Sequence, residues 1–355
     1  MSGRARDAFE YQVVKACAEV LGRPMGVDDE LVLAGDPVAA DRLRTRIEEL
    51  TGRSVERAPE SGTVEALARK VRGAPKRGRW SSVVPLRPGG EGRPLFLLHP
   101  IGGNVWWYEP LAQGLAPEHP VYGLQSVGLD PDERPHESIE EMAAHYVEEI
   151  ARVDPDGPYL LAGWSYGGMV AYEMARQLRA AGRPVGLLAL LDASTTDPSR
   201  APEERWEIPM RLLTNALRVY PRIDEVLALE RGDQLELLRE IAIEHGTLPP
   251  GYPLAHMRRM HELNAVNVGA LGSYRPGRYE GEVTLLRAGA RGTEGGGDFH
   301  DGEDLGWGEL VDSVVIRTVP GVNHFSFLRR ESVPAVAELL SDCLARADRA
   351  LTAAR

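Results

Sequence analysis

The chain has almost no cysteine. Its 355 residues hold two, Cys17 and Cys343, far apart and in no metal-ligand or redox spacing, which excludes a disulfide framework or a cysteine-rich metal site. Both fall in apolar, helix-periodic stretches, the setting of a buried thiol. Basic charge is not in excess: 41 Lys and Arg stand against 53 Asp and Glu, a net charge of -12, which argues against nucleic acid as a partner. No run approaches the ~18–20 apolar residues of a membrane span. Met1 to Glu10 is polar and charged rather than a signal peptide, so a cytosolic protein is expected. No internal repeat is present, and nothing in the chain implies a metal or an organic cofactor.

What is there is a large apolar fraction, 43%, enough for one large core and a small extra domain. The composition changes near residue 73. Residues 73–93 are rich in Pro, Gly, Lys and Arg, lack periodicity and read as a linker. Before it, residues 1–72 read as a small helical domain, with Tyr11, Val14, Cys17, Ala18 and Leu21, then Leu43, Ile47 and Leu50, then Val64, Leu67, Ala68 and Val71 at helical spacing. The first 75 residues carry 12 basic and 13 acidic side chains, so the acidic excess belongs to the rest.

After the linker, over residues 94–350, strands and helices alternate. Leu95–Leu98, Pro158–Gly163, Val185–Leu191, Val283–Arg287 and Val314–Val319 read as strands, and residues 166–180 as a helix stopped by Gly182 and Pro184. That alternation predicts an α/β fold with a mostly parallel, doubly wound sheet. A long insertion, about Thr195–Gly281, carries helical stretches at Met210–Val219, Asp233–His245 and Leu254–Leu271. An insertion above the carboxyl edge of such a sheet is where a lid sits.

The chemistry centres on Gly163-Trp164-Ser165-Tyr166-Gly167-Gly168. A bare G-x-S-x-G arises by chance in roughly one such chain in six, so its context decides. Here a strand runs into it and a helix leaves it, the strand-to-helix turn that lifts a serine hydroxyl to the top of a sheet. A serine needs a base to take its proton. His324 is the best placed of nine histidines, after the last strand and late in the chain, with His300 as the fallback. Asp192 ends the strand Val185–Leu191 and is preferred as the residue that orients the imidazole; Asp298, Asp301 and Asp304 are the alternatives. An oxyanion hole needs two backbone N–H groups: Tyr166, after the serine, and Ile101, in the loop after the first strand, with Gly102 close behind. His99 reads as a structural strand-end residue.

At His99-Pro-Ile-Gly-Gly103, Val121-Tyr-Gly-Leu-Gln125, Glu141-Met-Ala-Ala-His-Tyr146, Gly163 to Gly168 with Glu173-Met-Ala-Arg176, Leu191-Asp192 and Gly321-Val-Asn-His324, the chain closely resembles the type I thioesterase domains of nonribosomal peptide synthetases. The resemblance implies an α/β-hydrolase fold with a helical lid. It also implies acyl transfer from a carrier thioester to Ser165, then release by water or by a nucleophile of the same chain to close a ring. It supports Asp192 as the acid.

The first 72 residues resemble a peptidyl carrier domain in Glu19-Val-Leu-Gly22, Asp28-Asp29-Glu30, Ala34-Gly35-Asp36, Leu43 through Gly52 and Thr63-Val-Glu-Ala-Leu67. Where that family has the serine that bears phosphopantetheine, this chain has Pro37, and the loop is one residue short. A degenerate carrier domain is expected, with the substrate delivered in trans by a phosphopantetheinyl carrier of a synthetase. An acyltransferase shuttle shares the same triad and is the alternative; a general esterase and a non-catalytic scaffold come after it.

Overall fold

The computed structural model describes residues 5–353 except for 6, 34–35, 56–60, 77, 79, 131, 196–207, 218, 220–221, 249–250 and 291–301. The N-terminal unit is built from α1 (Ala8–Leu21), β1 (Glu30–Val32), α2 (Pro37–Thr51), β2 (Ser61–Thr63) and α3 (Val64–Arg72), with β1 and β2 paired antiparallel. Each helix has a local start signal. The side chains of Asp7, Asp36 and Thr63 accept from backbone N–H groups three residues on, and Gly22 and Gly52 end α1 and α2 in the left-handed region. Pro37 is the first residue of α2, a position that needs no N–H donor and suits a φ fixed near -65°.

The rest of the chain is one sheet with helices on both faces. Its elements in order are β3 (Val83–Arg87), β4 (Leu95–Leu98), α4 (Glu109–Gly114), β5 (Val121–Leu124), α5 (Ile139–Val153), β6 (Tyr159–Trp164), α6 (Tyr166–Ala180) and β7 (Val185–Leu191). The insertion follows with α7 (Ile208–Ala216), α8 (Ile223–Leu227), α9 (Arg231–Glu244) and α10 (Leu254–Ser273). Then come β8 (Tyr279–Ala288), β9 (Val311–Val319) and α11 (Val333–Ala353). Among the described residues the strand order is β3-β5-β4-β6-β7-β8-β9, all parallel except β3. This is the α/β-hydrolase architecture, with a helical unit at the N-terminal end.

Successive residues of the central strands enter opposite layers. Leu95 and Leu97 of β4 pack toward α4 and α11, whereas Phe96 and Leu98 pack toward α5 and α6. Both faces are covered, so these strands read as continuous apolar runs rather than alternating ones. The stretch that the sequence presents as a linker, residues 73–93, contains β3. Pro85 lies within this edge strand, at its bulge, and breaks the pattern by which a strand is read. Cys17 and Cys343 are free and buried, and burial pushes their thiols up to about 12 and about 11.

The N-terminal unit lies against the sheet domain. Its core takes in Trp80, which stacks on Phe9, while Tyr11 joins the core formed by α4, α11 and the sheet. Tyr11 donates to Glu109, Lys15 bonds both the Glu109 carboxylate (3.0 Å) and the Leu86 carbonyl (3.0 Å), and Gln12 donates to the Ser81 carbonyl at 3.0 Å. A second set joins Lys76 to Asp130 and Glu133 (2.9 and 2.6 Å) and Arg53 to Asp132 (2.6 Å).

Candidate active site

Ser165 stands between β6 and α6 with φ 56° and ψ -121°, a conformation that a non-glycine residue adopts at an energetic cost. The neighbouring glycines make that turn possible. A Cβ on Gly163 would fall 2.2 Å from the Gly167 carbonyl, and one on Gly167 would fall 2.2 Å from the Leu98 carbonyl. The turn is further tied to the end of β4: Tyr108, fully buried, donates to the Leu98 carbonyl (2.7 Å) and accepts from the Trp164 N–H (2.8 Å).

The structure brings Ser165, His324 and Asp192 into one hydrogen-bonded line. His324 follows β9 and is held by a local turn in which Asn323 and Ser326 cap each other. Its Nδ1–H donates to Asp192 Oδ2 at 2.8 Å, and its Nε2 accepts from the Ser165 hydroxyl at 3.0 Å. The carboxylate selects that tautomer, because it can only accept, and so leaves Nε2 as the free base. Asp192 lies just beyond β7 with φ 47°, which aspartate tolerates better than most residues. Its other oxygen, Oδ1, accepts from the Ala288 N–H at 2.7 Å, and its own N–H donates to the Leu286 carbonyl at 2.7 Å. The acid is thus clamped to β8 on two sides.

Among the alternatives, Asp304 is engaged elsewhere. Its oxygens accept from the N–H groups of Gly306 and Gly308, both at 3.0 Å, in its own turn. Asp298, Asp301 and the fallback base His300 lie outside the described residues.

The two backbone groups read as oxyanion donors belong to the residue after the serine and to the loop after β4. Tyr166 opens α6, where first-turn N–H groups have no helical partner and the dipole favours negative charge. Ile101 lies in a turn closed by Gly103 N–H donating to the Pro100 carbonyl at 2.9 Å. The Pro100 carbonyl also accepts from His99 Nδ1–H at 2.8 Å. Because a peptide is planar, pinning the Pro100 oxygen fixes the direction of the Ile101 N–H. Neither N–H donates to a protein acceptor among the described residues. His99 is fully buried, its pKa is pushed down to about 4 chiefly by burial, and its Nε2 meets the Tyr146 hydroxyl at 2.8 Å. It serves as a neutral prop for the loop.

Sequence reasoning did not single out three contributors: Tyr108 as a tie to the serine turn, the Ala288 N–H on Asp192, and Asn267 of α10, whose side chain reaches the Ile101 carbonyl (2.7 Å). For Asn267 a signal existed. Asn264 and Asn267 are polar residues three apart within a stretch holding Leu263, Val268 and Ala270, and all five are buried. Pro37 is exposed at the start of α2. Among the described residues no cluster of three or more His, Cys, Asp or Glu side chains is arranged to hold a metal ion. None of the helices there is long and apolar enough to cross a membrane.

A serine hydroxyl, an imidazole and a carboxylate in one hydrogen-bonded line at the carboxyl edge of a parallel sheet are suited to acyl transfer. Known proteins point the same way. The sequence profile of the thioesterase domain matches residues 93–343. A dimodular nonribosomal peptide synthase of Bacillus subtilis (strain 168) is 35% identical over 282 residues, covering 76% of this chain and 11% of that protein. The chain therefore spans about a tenth of the length of this curated relative. Among solved structures, the four-domain nonribosomal peptide synthetase AB3403, in a holo form bound to AMP and glycine, superposes with a TM-score of 0.77 at 26% identity, over 96% of this chain and 26% of its own. The NocB thioesterase domain, in covalent complex with a fluorophosphonate nocardicin G analogue, gives a TM-score of 0.54 at 28% identity, over 75% of this chain and 98% of its own. The chain belongs to the thioesterase domain family of the nonribosomal peptide synthetase type, and is a hydrolytic enzyme of the α/β-hydrolase fold.

Proposed function

We propose that this thioesterase releases a peptidyl or acyl chain from a carrier-protein thioester through an ester on Ser165, and that the carrier belongs to another polypeptide. The observation that carries the first part is the line Ser165–His324–Asp192, with contacts of 3.0 and 2.8 Å. In the first half-reaction Ser165 Oγ attacks the thioester carbonyl while His324 Nε2 takes its proton. Oxyanion charge falls between the N–H groups of Tyr166 and Ile101, and the thiol leaves with the proton from His324. In the second half-reaction the same imidazole activates water, or a hydroxyl or amine of the bound chain, which attacks the ester and frees Ser165. Asp192 stays ionised and stabilises the imidazolium.

Delivery in trans is supported by the N-terminal unit. At the position where a carrier domain has its modified serine stands Pro37, which has no hydroxyl. The superposition on the four-domain synthetase takes in nearly the whole chain, the N-terminal unit included, in keeping with a carrier-like origin for that unit. Its polar contacts with Ser81, Leu86, Glu109 and Asp132 suit a docked, steadying role rather than a travelling one. The insertion α7 to α10 acts as the lid in this reading.

Intact-protein mass spectrometry of wild type and Ser165→Ala with peptidyl and acyl thioester mimics tests the reading. An adduct on wild type alone, with free acid or ring as product, is expected. Transfer to an added amine or carrier in place of release would move the assignment to an acyltransferase. Turnover of simple esters without thioesters would move it to a general esterase.

A further inference from the structure

The loop that carries Ile101 is not held by the sheet alone. Helix α10 of the insertion lies directly on it. A Cβ on Gly103, whose φ is +81°, would come 2.5 Å from Leu263 Cδ2, so helix and loop are already in closest approach. Arg259, one turn earlier on α10, is anchored to the carbonyls of Gly128, Asp130 and Glu133 at 2.8, 3.1 and 2.9 Å. Between these contacts and the serine turn sits Asn267, with no exposed surface.

Asn267 touches both arms of the oxyanion-binding arrangement. Its Nδ2 donates to the Ile101 carbonyl at 2.7 Å, and its Oδ1 lies 3.4 Å from the Tyr166 hydroxyl. The amide orientation follows from chemistry: the Ile101 carbonyl can only accept, so nitrogen must face it, and the oxygen is left toward the tyrosine. Holding the Ile101 oxygen fixes the plane of the Ile101–Gly102 peptide and therefore the direction of the Gly102 N–H. The preceding peptide is already fixed through the Pro100 oxygen by His99 and Gly103. Asn267 thus supplies the lock for the second of two consecutive peptides, and it supplies it from the insertion rather than from the sheet.

We propose that Asn267 is a positioning residue for the oxyanion-binding loop, so that seating α10 on the loop sets the Gly102 N–H as a donor beside that of Ile101 for acyl transfer. This rests on the reading of Ser165 as acyl acceptor given above. When α10 lifts, the Ile101 carbonyl loses its donor and the peptide is free to turn, which puts a carbonyl oxygen where an N–H is needed. Acylation then occurs only under a closed insertion, which couples substrate enclosure to chemistry.

The test uses the full chain with a soluble peptidyl N-acetylcysteamine thioester. Asn267→Leu fills the space without a donor. Asn267→Asp keeps the shape but sets a carboxylate against the Ile101 carbonyl. Complete loss of one oxyanion donor costs about 10²–10³ in kcat, so a donor that is displaced rather than deleted should cost about 10–100-fold. Both variants should show that loss in kcat, with KM within about threefold and the acid limb of the pH–rate profile where wild type has it, because the Ser165–His324–Asp192 line is untouched. Tyr166→Phe should cost a few-fold alone and nothing further on top of Asn267→Leu, since it removes the other end of the same contact. Wild-type kcat in Asn267→Asp, a loss confined to KM, or a shifted acid limb in both variants would overturn the proposal. Should the leucine variant not fold, the aspartate variant and Tyr166→Phe decide by the same criteria. Wild type that forms no Ser165 adduct and turns over no thioester would instead remove the underlying reading.

Discussion

Asp192→Asn is the most informative single perturbation of the site, because the structure says which way the new amide must turn. Asp192 Oδ1 accepts from the Ala288 N–H at 2.7 Å and Oδ2 from His324 Nδ1–H at 2.8 Å. An asparagine has one oxygen for two donors. If the oxygen faces His324, its NH2 meets the Ala288 N–H, and two buried donors face each other at a cost of about 1–3 kcal/mol. If the oxygen faces Ala288, the NH2 faces Nδ1, which must then be unprotonated, and the proton moves to Nε2, where it blocks the serine. The backbone of β8 therefore selects the inactive tautomer. Losing the ionised partner of the imidazolium adds about 1.5–3 kcal/mol. Together these amount to about 2.5–6 kcal/mol, or about 10²–10⁴ in the rate of acylation. Single-turnover acylation followed by intact mass, with a thermal melt to show that the fold is retained, measures it directly. A loss below tenfold would refute the reasoning and return the role of acid to Asp298, Asp301 or Asp304.

Other outcomes follow from the same contacts. Ser165→Ala should abolish the acyl adduct and leave the melting temperature at or above that of wild type, since the change removes one hydroxyl; residual turnover would displace Ser165 as nucleophile. Gly167→Ala should lower stability by ~3 kcal/mol or more and lower activity with it, because its Cβ meets a backbone oxygen at 2.2 Å that has no room to move; a wild-type melt would contradict this. His99 is held neutral by burial, with a pKa pushed down to about 4 against an ordinary 6.5 in the unfolded chain. Below pH 6.5 the unfolded chain therefore binds a proton that the folded one refuses. The stability is complete above that pH and is lost as pH falls toward 4, by about 3 kcal/mol in all. Urea melts at pH 7 and pH 5 should show this slope in wild type and a shallower one in His99→Gln; equal slopes would count against it. Treatment with coenzyme A and a phosphopantetheinyl transferase should add no arm to residues 1–75, and a mass gain there would refute a degenerate carrier site.

Much of the site is a matter of local chain chemistry, and such features are legible in one dimension. The serine turn needs glycines at Gly163 and Gly167 whatever surrounds it, and a strand must enter and a helix leave. Asp192 and His324 each follow a strand, so a parallel sheet brings them to the same edge as Ser165. The same logic covers Pro37, which suits the first turn of a helix behind the capping side chain of Asp36. What the linear pattern could not supply is contact between segments distant in sequence. Strand β3 is short, carries Pro85 and becomes a strand only because β5 offers it an edge. The choice of Asp192 over Asp304 turns on which carboxylate reaches an imidazole 132 residues away, and Asp304 is spent on its own turn. The grip of Asn267 on Ile101 spans 166 residues and depends on how an inserted helix with weak amphipathic patterning settles on a loop. The sequence by itself placed Ser165, Asp192 and His324 at one sheet edge, since that follows from periodicity and turn chemistry. Tertiary structure alone decided which neighbours orient them, because those hydrogen bonds exist only when separate elements pack together.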